Sequence, residues 1–320
     1  MPPSVLVGVG IVSVQLGAGL AGRLFSEVPP AAVTGLRLWT SAVMMAALGG
    51  RGLARTLRDV ISRRRWQDAG VAVAFGITLA VMNFSIYQSF ARIPLGIAVT
   101  VEFLGPLAVA VASSRHVIDL LWVGLAGLGV ALLADGGTRV AGGTRVAGGT
   151  RVAGGTRLAG GAAPGSHGGP GLVVAGIAFA LVAAAAWAAY IKLSASTGRR
   201  LSGSSGLVIA MIIAALVVTP PAVAAGHAAL LRPGVLVAGA VIGLLSSVIP
   251  YRFELEALQR IPARVYGVWV SLAPAVAALI GLVLLSESLA AREWAAVCCV
   301  VVASAGTSRG AAASAQAPQA

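Results

Sequence analysis

Ten long apolar segments, separated by short polar or glycine-rich stretches, dominate the pattern of the sequence. A helix needs about 20 predominantly apolar residues to cross a bilayer, and each segment is close to that length. The pattern therefore predicts an all-α integral membrane protein with ten transmembrane helices. We place them near residues 4–22, 31–50, 68–90, 95–113 and 118–135, then 171–191, 205–224, 234–251, 263–284 and 290–307.

The two groups of five segments share a motif. Arg92-Ile93-Pro94, followed by Pro106, recurs as Arg260-Ile261-Pro262 followed by Pro274, and corresponding positions are 168 residues apart. A fixed offset of this kind is the signature of an internal repeat. Because each group holds an odd number of helices, the second group should enter the membrane upside down relative to the first. The sequence thus predicts two inverted five-helix repeats, the arrangement found in many secondary transporters.

Between the repeats lies a glycine-rich segment in which GGTRVA recurs. Such a composition buries too little apolar surface to fold and behaves as a flexible coil. A phosphate-binding glycine loop is the alternative, but no strand precedes the segment and no lysine closes it. We therefore expect a first repeat at 1–135, a linker at 136–170, a second repeat at 171–309 and a disordered tail at 310–320.

Composition supports membrane insertion. The chain has 320 residues, 58% of them hydrophobic and 10% charged, against about 25% charged in soluble domains. The net charge of +13 would favour nucleic-acid binding in a soluble protein, but the arginines cluster between apolar segments. There they act as topology signals and contact lipid headgroups. The six arginines from Arg51 to Arg65 predict that both termini are cytoplasmic, and we expect no nucleic-acid partner.

Glu102 is the acidic residue that falls well inside an apolar segment. A charged carboxylate at the centre of a membrane helix costs about 2.5–3.5 kcal/mol on insertion scales, so it should face the protein interior, find a partner or hold a proton. The functional hypothesis is that it binds a proton and a substrate ammonium in competition. The alternative is a neutral acid that hydrogen-bonds between helices. Pro106 and Pro274 should kink their helices, either to build a site or only to assist packing.

Five other side chains are candidates for the same substrate or proton site. Asn83 and Tyr87 stand at i and i+4, hence on one helix face, where they bind a solute or bond to another helix. Tyr251 and Trp269 line a cavity or belong to interfacial aromatic belts. Arg37 either snorkels outward or faces the cavity, where it would pair with a substrate carboxylate or with the buried glutamate.

Known catalytic patterns are missing from the sequence. No HExxH, CxxC, Walker or GxSxG motif occurs, and His116, His167 and His227 fall in connecting segments. We therefore expect no catalytic residues, no metal and no cofactor, and a driving force that comes from an ion or from the solute gradient. Glu287, at the outer end of the ninth predicted helix, should cap or orient a helix. A membrane-embedded enzyme or a receptor-like subunit is the alternative from another functional class.

The stretch RIPLGIAVTVEFLGPL from Arg92, together with SSVIPYRFELEAL from Ser246, resembles the EamA-type branch of the drug/metabolite transporter superfamily. The resemblance implies a ten-helix, inverted-repeat carrier in the bacterial inner membrane. Such a carrier exports small metabolites, including amino acids such as threonine and homoserine, and is usually coupled to protons. A homodimer is one assembly open to it. A drug-like or lipid-linked solute is the same-fold alternative.

The resemblance also assigns individual positions. It makes Glu102 the family's acid before GPL and makes Pro250 and Tyr251 its proline–tyrosine pair. The family commonly has a glutamate before the proline of the ninth helix, where this chain has Ala273. If that glutamate helps to bind substrate or protons, the departure changes the substrate, the proton stoichiometry or the activity itself, and Glu102 acts alone.

Overall fold

The computed structural model describes residues 2–62, 66–112, 121–122, 124–129, 170–201 and 205–314. Within these ranges every regular element is a helix, and eight segments are long and apolar enough to cross a membrane. The described part of the chain therefore confirms an all-α membrane protein. The count of ten helices and the inverted arrangement of the repeats stay predictions.

The described residues up to 112 form five helices, whose apolar parts lie where the sequence pattern placed the first four segments. They are α1 (Pro3–Leu24), α2 (Pro30–Ser62), α3 (Trp66–Phe90), α4 (Leu95–Glu102) and α5 (Leu104–Ala112). Helix α2 runs well past its predicted end because half of residues 51–62 are arginine, leucine or alanine, which favour helix. Its membrane-compatible part ends at Leu48. The predicted segment 118–135 lies largely outside the described residues.

The second half begins with α6 (Pro170–Arg200), α7 (Ser205–Gly226), a short 3₁₀ turn and α8 (Pro233–Gly243). A π-helical turn, Leu244–Val248, leads directly into α9 (Ile249–Leu258). The remaining helices are α10 (Ala263–Val270), α11 (Ala273–Leu285) and α12 (Ala291–Ser314). Helix α12 extends into the predicted tail, whose residues 315–320 lie outside the described ranges. So does the predicted linker, apart from its last residue.

Two membrane segments are broken at corresponding places. The first is interrupted at Phe103, between α4 and α5, and the second at Ser271, 168 residues later. Pro106 and Pro274 each lie three residues beyond their break. A proline removes a backbone donor and clashes with the carbonyl four residues earlier, which disrupts the helix at this point.

The two broken segments also begin in the same way. Pro94 before α4 has φ −52° and ψ 141°, and Pro262 before α10 has φ −58° and ψ 142°. This extended geometry at the residue before the helix is typical of a helix start. The offset seen in the sequence is thus reproduced in the backbone.

The two halves pack into one another. Helix α3 packs on α6 and α7, α2 packs on α7 and α8, and α1 packs on α9 and α11. Small residues permit the close approach, as is common between membrane helices. A Cβ atom placed on Gly96 in α4 would lie 2.7 Å from the Cα atom of Ala278 in α11. A cavity remains where the broken segments meet α1, α2, α3 and α9.

Candidate functional site

A cavity of about 470 Å³ lies between the two halves. This size falls in the range of small-molecule sites, roughly 300–1,000 Å³. Its wall is mostly apolar. Among the described residues the charged side chains that line it are Arg37, Glu102 and Glu254. A largely apolar pocket with a few convergent polar groups is the usual form of a ligand site.

Arg37 on α2 points into this cavity rather than outward to the membrane surface. Its Nη1 donates a hydrogen bond to Asn83 Oδ1, and its Nη2 donates to the backbone oxygen of Ser246 at 3.4 Å. The guanidinium carbon also lies 5.2 Å from the centre of the Tyr87 ring, within the range of a cation–π contact. Arg37 is therefore held by α3 and by the π-helical turn of the second half.

Asn83 fixes the position of this guanidinium. Its Nδ2 donates to the backbone oxygen of Leu79 at 2.8 Å, so its Oδ1 must face Arg37. The Asn83 side chain is buried. The interhelical bond that the sequence left open for Asn83 is thus formed, with Arg37 as the donor.

Three polar atoms around Arg37 are buried and make no hydrogen bond of good geometry with a described residue: Arg37 Nε, the Tyr87 hydroxyl and Ser246 Oγ, although the last two lie near each other. A buried polar atom left unpaired costs about 1–3 kcal/mol, and native proteins contain few of them. All three belong to residues that line the cavity. The cluster offers both donors and acceptors to a small polar solute or to water.

Glu102 is the last residue of α4, directly before the break at Phe103, and it lines the same cavity. Its carboxylate makes no hydrogen bond or ion pair with a described residue, although the charge of Arg37 acts on it. The adjacent wall is apolar, since Phe103 packs edge-on against Trp187 with ring centres 5.0 Å apart. One cavity thus presents a carboxylate and a guanidinium that are not paired with each other.

The remaining candidates are divided between the cavity and other places. Tyr251 and Pro106 line the cavity, whereas Pro274 is buried in α11 and does not. Trp269 is not among the lining residues, and its side chain is 38% exposed. Its neighbour Val270 does line the cavity, and successive helix positions point about 100° apart. The structure therefore does not bring Trp269 to the site.

Ala273 lines the cavity at the position where the resemblance implied a glutamate. Its backbone oxygen accepts a hydrogen bond from Gln15 Nε2 at 3.4 Å. Helix α1 therefore contacts the second break through a side-chain amide. No carboxylate occupies this point of the wall.

Sequence reasoning missed several polar lining residues, among them Ser246 and Glu254. Ser246 sits in the π-helical turn, for which the sequence carries no clear signal. Glu254 did carry a signal, because it follows Tyr251 by three residues and so shares its helix face. It was overlooked because the predicted eighth helix ended at residue 251, whereas α9 continues to Leu258.

Glu287 caps a helix, as the sequence predicted. Its Oε2 accepts a hydrogen bond of 2.8 Å from the backbone N–H of Leu95, the first residue of α4. The side chain is 8% exposed. Burial raises the pKa of the Glu287 carboxyl to about 7, and the hydrogen bond from Leu95 opposes the rise. The contact ties the end of α11 to the start of the helix that carries Glu102.

Comparison with known proteins agrees with this architecture. A model described as the EamA-like transporter family matches residues 174–309. The threonine/homoserine exporter RhtA of Salmonella typhimurium strain SL1344 is 33% identical over 308 residues, which cover 95% of this chain and 90% of that protein. RhtA of Escherichia coli K12 is 34% identical over 305 residues, with the same coverage.

A solved crystal structure shares the fold. It superposes with a TM-score of 0.54 at 17% sequence identity, over 95% of this chain and 96% of the other. The similarity in sequence extends over nearly the whole chain, including the broken segments and the cavity between them. The protein belongs to the EamA-like transporter family.

Proposed function

We propose that this protein is a secondary transporter of the inner membrane that exports small amino acids such as threonine and homoserine in exchange for protons. Two relatives that match nearly the whole chain are named as threonine/homoserine exporters. The observation that carries the proposal is that Arg37 and Glu102 face the same cavity without forming an ion pair. Opposite charges held apart complement a zwitterion.

The substrate carboxylate binds at Arg37. Asn83 holds the guanidinium in place, and its Nε is left free for an acceptor. A charge-assisted hydrogen bond to a carboxylate is about twice as strong as a neutral one. The hydroxyls of Tyr87 and Ser246, which lie near each other, stand beside this position and serve the polar end of the substrate.

The substrate ammonium binds at Glu102, in competition with a proton. Substrate arriving from the cytoplasm displaces the proton, and a proton from outside displaces the substrate after the carrier has changed its orientation. The two broken segments border the cavity, and in transporters of this type such breaks form the substrate site around which the repeats move. The mechanism relies on ten helices in two inverted repeats, with both termini cytoplasmic, because alternating access moves one repeat against the other.

The size of the cavity favours a small solute over the alternative cargo, a drug-like or lipid-linked molecule. A volume of about 470 Å³ lies near the lower end of the usual range for ligand sites. A lipid-linked solute would need a larger and more continuously apolar space. Membership of a transporter family also sets aside the enzyme alternative.

Counterflow in proteoliposomes tests the proposal. Purified protein is loaded with unlabelled threonine or homoserine, and uptake of the labelled compound is followed with and without a pH gradient. We expect exchange that responds to the gradient in the wild type and loses this response in Glu102→Gln. The control is Glu27→Gln, which alters an exposed acid away from the cavity. Absence of exchange in folded wild-type protein, or an unchanged gradient response in Glu102→Gln, contradicts the proposal.

A further inference from the structure

The cavity contains a second carboxylate, Glu254 on α9, that the exchange of one zwitterion for protons does not use. Glu254 is half-buried and lines the cavity. It makes no ion pair with a described residue. Glu256, two residues further along the same helix, pairs with Arg260 instead. Glu254 is thus an acid in the cavity wall whose basic partner, if the substrate supplies none, is missing from the described part of the chain.

Three tyrosines surround this carboxylate. Tyr190, Tyr251 and Tyr266 come from α6, α9 and α10, and all three line the cavity. The Tyr266 hydroxyl lies within hydrogen-bonding reach of Glu254. Tyr190 and Tyr251 interact with each other and with the charge of Glu254. A carboxylate among aromatic rings and hydroxyls is a favourable setting for an ammonium group, which gains both an ion pair and cation–π contacts.

Charge balance in the cavity points the same way. The described charged side chains in its wall are two carboxylates and one guanidinium. A zwitterion adds no net charge, so in this poorly solvated space Glu254 must either hold a proton or meet another positive group. Arg37 acts electrostatically on Glu102 and on Tyr251, and the groups that act on Glu254 do not include it. One more positive group next to Glu254 would balance the site.

We infer that Glu254, with Tyr190, Tyr251 and Tyr266, forms a subsite for the side-chain ammonium of a diamino acid. The inference rests on the proposed function, since the α-carboxylate and α-ammonium of the same substrate bind at Arg37 and Glu102. Amino acids with a hydroxyl in place of that ammonium still enter, because the tyrosine hydroxyls accept and donate hydrogen bonds. The substrate class is therefore extended to short diamino acids.

Counterflow with two pairs of substrates tests this subsite. The pairs are homoserine with 2,4-diaminobutyrate and norleucine with ornithine, and within each pair the molecules differ chiefly in the side-chain ammonium. We expect the wild type to exchange the diamino acids. In Glu254→Gln, the KM for the diamino acids should rise about tenfold or more, a loss of about 1.4 kcal/mol, while the KM for homoserine changes by less than about twofold. Glu254→Asp, which keeps the charge, should recover part of the loss.

The matched control is Glu256→Gln, which removes an acid from the same helix but outside the cavity wall. It should leave all four substrates unaffected. The Tm of Glu254→Gln in detergent, compared with that of the wild type, serves as the test of correct folding. Wild-type exchange of homoserine without the diamino acids overturns the subsite but not the proposed function. An equal effect of Glu254→Gln on both members of a pair also overturns it, because the acid would then act on protons or on folding. No exchange of any of the four overturns both.

Discussion

Replacing Gly105 by alanine tests how closely the first broken segment packs against the second half. A Cβ atom at this position would lie 2.1 Å from the backbone oxygen of Ala184 and 2.9 Å from its carbonyl carbon. A carbon atom normally approaches a carbonyl oxygen to about 3.3 Å. Helices α5 and α6 would therefore have to separate by about 1 Å, since no side-chain rotation can relieve a contact with backbone.

The expected cost follows from these distances. Overpacking costs about 1–3 kcal/mol, and a rigid backbone neighbour places Gly105→Ala towards the upper end. The higher helix propensity of alanine offsets up to about 1 kcal/mol. We therefore expect a net destabilisation of about 2 kcal/mol. Because Gly105 lies one helical turn beyond Glu102, the separation should also shift the cavity wall and slow transport.

Thermal unfolding of the purified protein in detergent measures the effect, with counterflow of threonine as the functional readout. Gly8→Ala is the matched control, because a Cβ atom at Gly8 in α1 would meet nothing within 4 Å. Its Tm should be unchanged or higher, and its transport rate should match the wild type. A Gly105→Ala protein whose Tm equals that of Gly8→Ala would refute the close contact between α5 and α6.

Three further predictions concern Glu287 and Arg37. Glu287→Ala removes the acceptor for the Leu95 N–H and should lower the free energy of unfolding by about 0.5–2 kcal/mol, as loss of a helix cap does. Glu287→Gln keeps an acceptor and should cost less. Equal Tm values for the two variants would contradict this prediction. Because the pKa of Glu287 is raised from 4.5 to about 7, the folded state holds this proton more tightly than the unfolded state. The stability that protonated Glu287 contributes should therefore be lost as pH rises between about 4.5 and 7. If the Tm of Glu287→Gln fell as steeply with pH as that of the wild type, this role of Glu287 would be excluded. Arg37→Lys keeps the charge but loses the planar group that contacts both Asn83 and the Tyr87 ring. The KM for threonine counterflow should therefore rise about tenfold, which corresponds to about 1.4 kcal/mol of binding free energy. An unchanged KM would show that Arg37 does not bind the substrate.

The apolar pattern predicted the described membrane helices well because a bilayer leaves the backbone few choices. Each buried N–H and C=O group in lipid needs an internal partner, so a long apolar run becomes a helix almost regardless of its neighbours. The same reasoning singled out Glu102, whose charge is costly wherever it lies in such a run. The breaks in the fourth and ninth predicted helices also follow from a local cause, the ring of a proline.

Features that depend on distant partners could not be predicted. The inward orientation of Arg37 relies on Asn83, 46 positions away, and on Ser246, 209 positions away. Nothing local to Arg37 distinguishes this arrangement from an arginine that reaches the membrane surface. Trp269 is a second case. The sequence placed it correctly on a helix, but the side of that helix on which its side chain lies could not be determined. The extension of α9 to Glu254 was hidden by the charged residues that follow Tyr251.

The π-helical turn Leu244–Val248 sets the direction in which α9 presents its side chains. A π turn holds one more residue than an α turn, so α9 follows α8 with its faces advanced by one position. If the same residues formed a regular α-helix instead, Tyr251 and Glu254 would be rotated by about 100° about the axis. Both side chains would leave the cavity and the wall would lose its second acid. A substitution that removes the π turn can therefore change the substrate range in this scaffold, although no residue that binds is replaced.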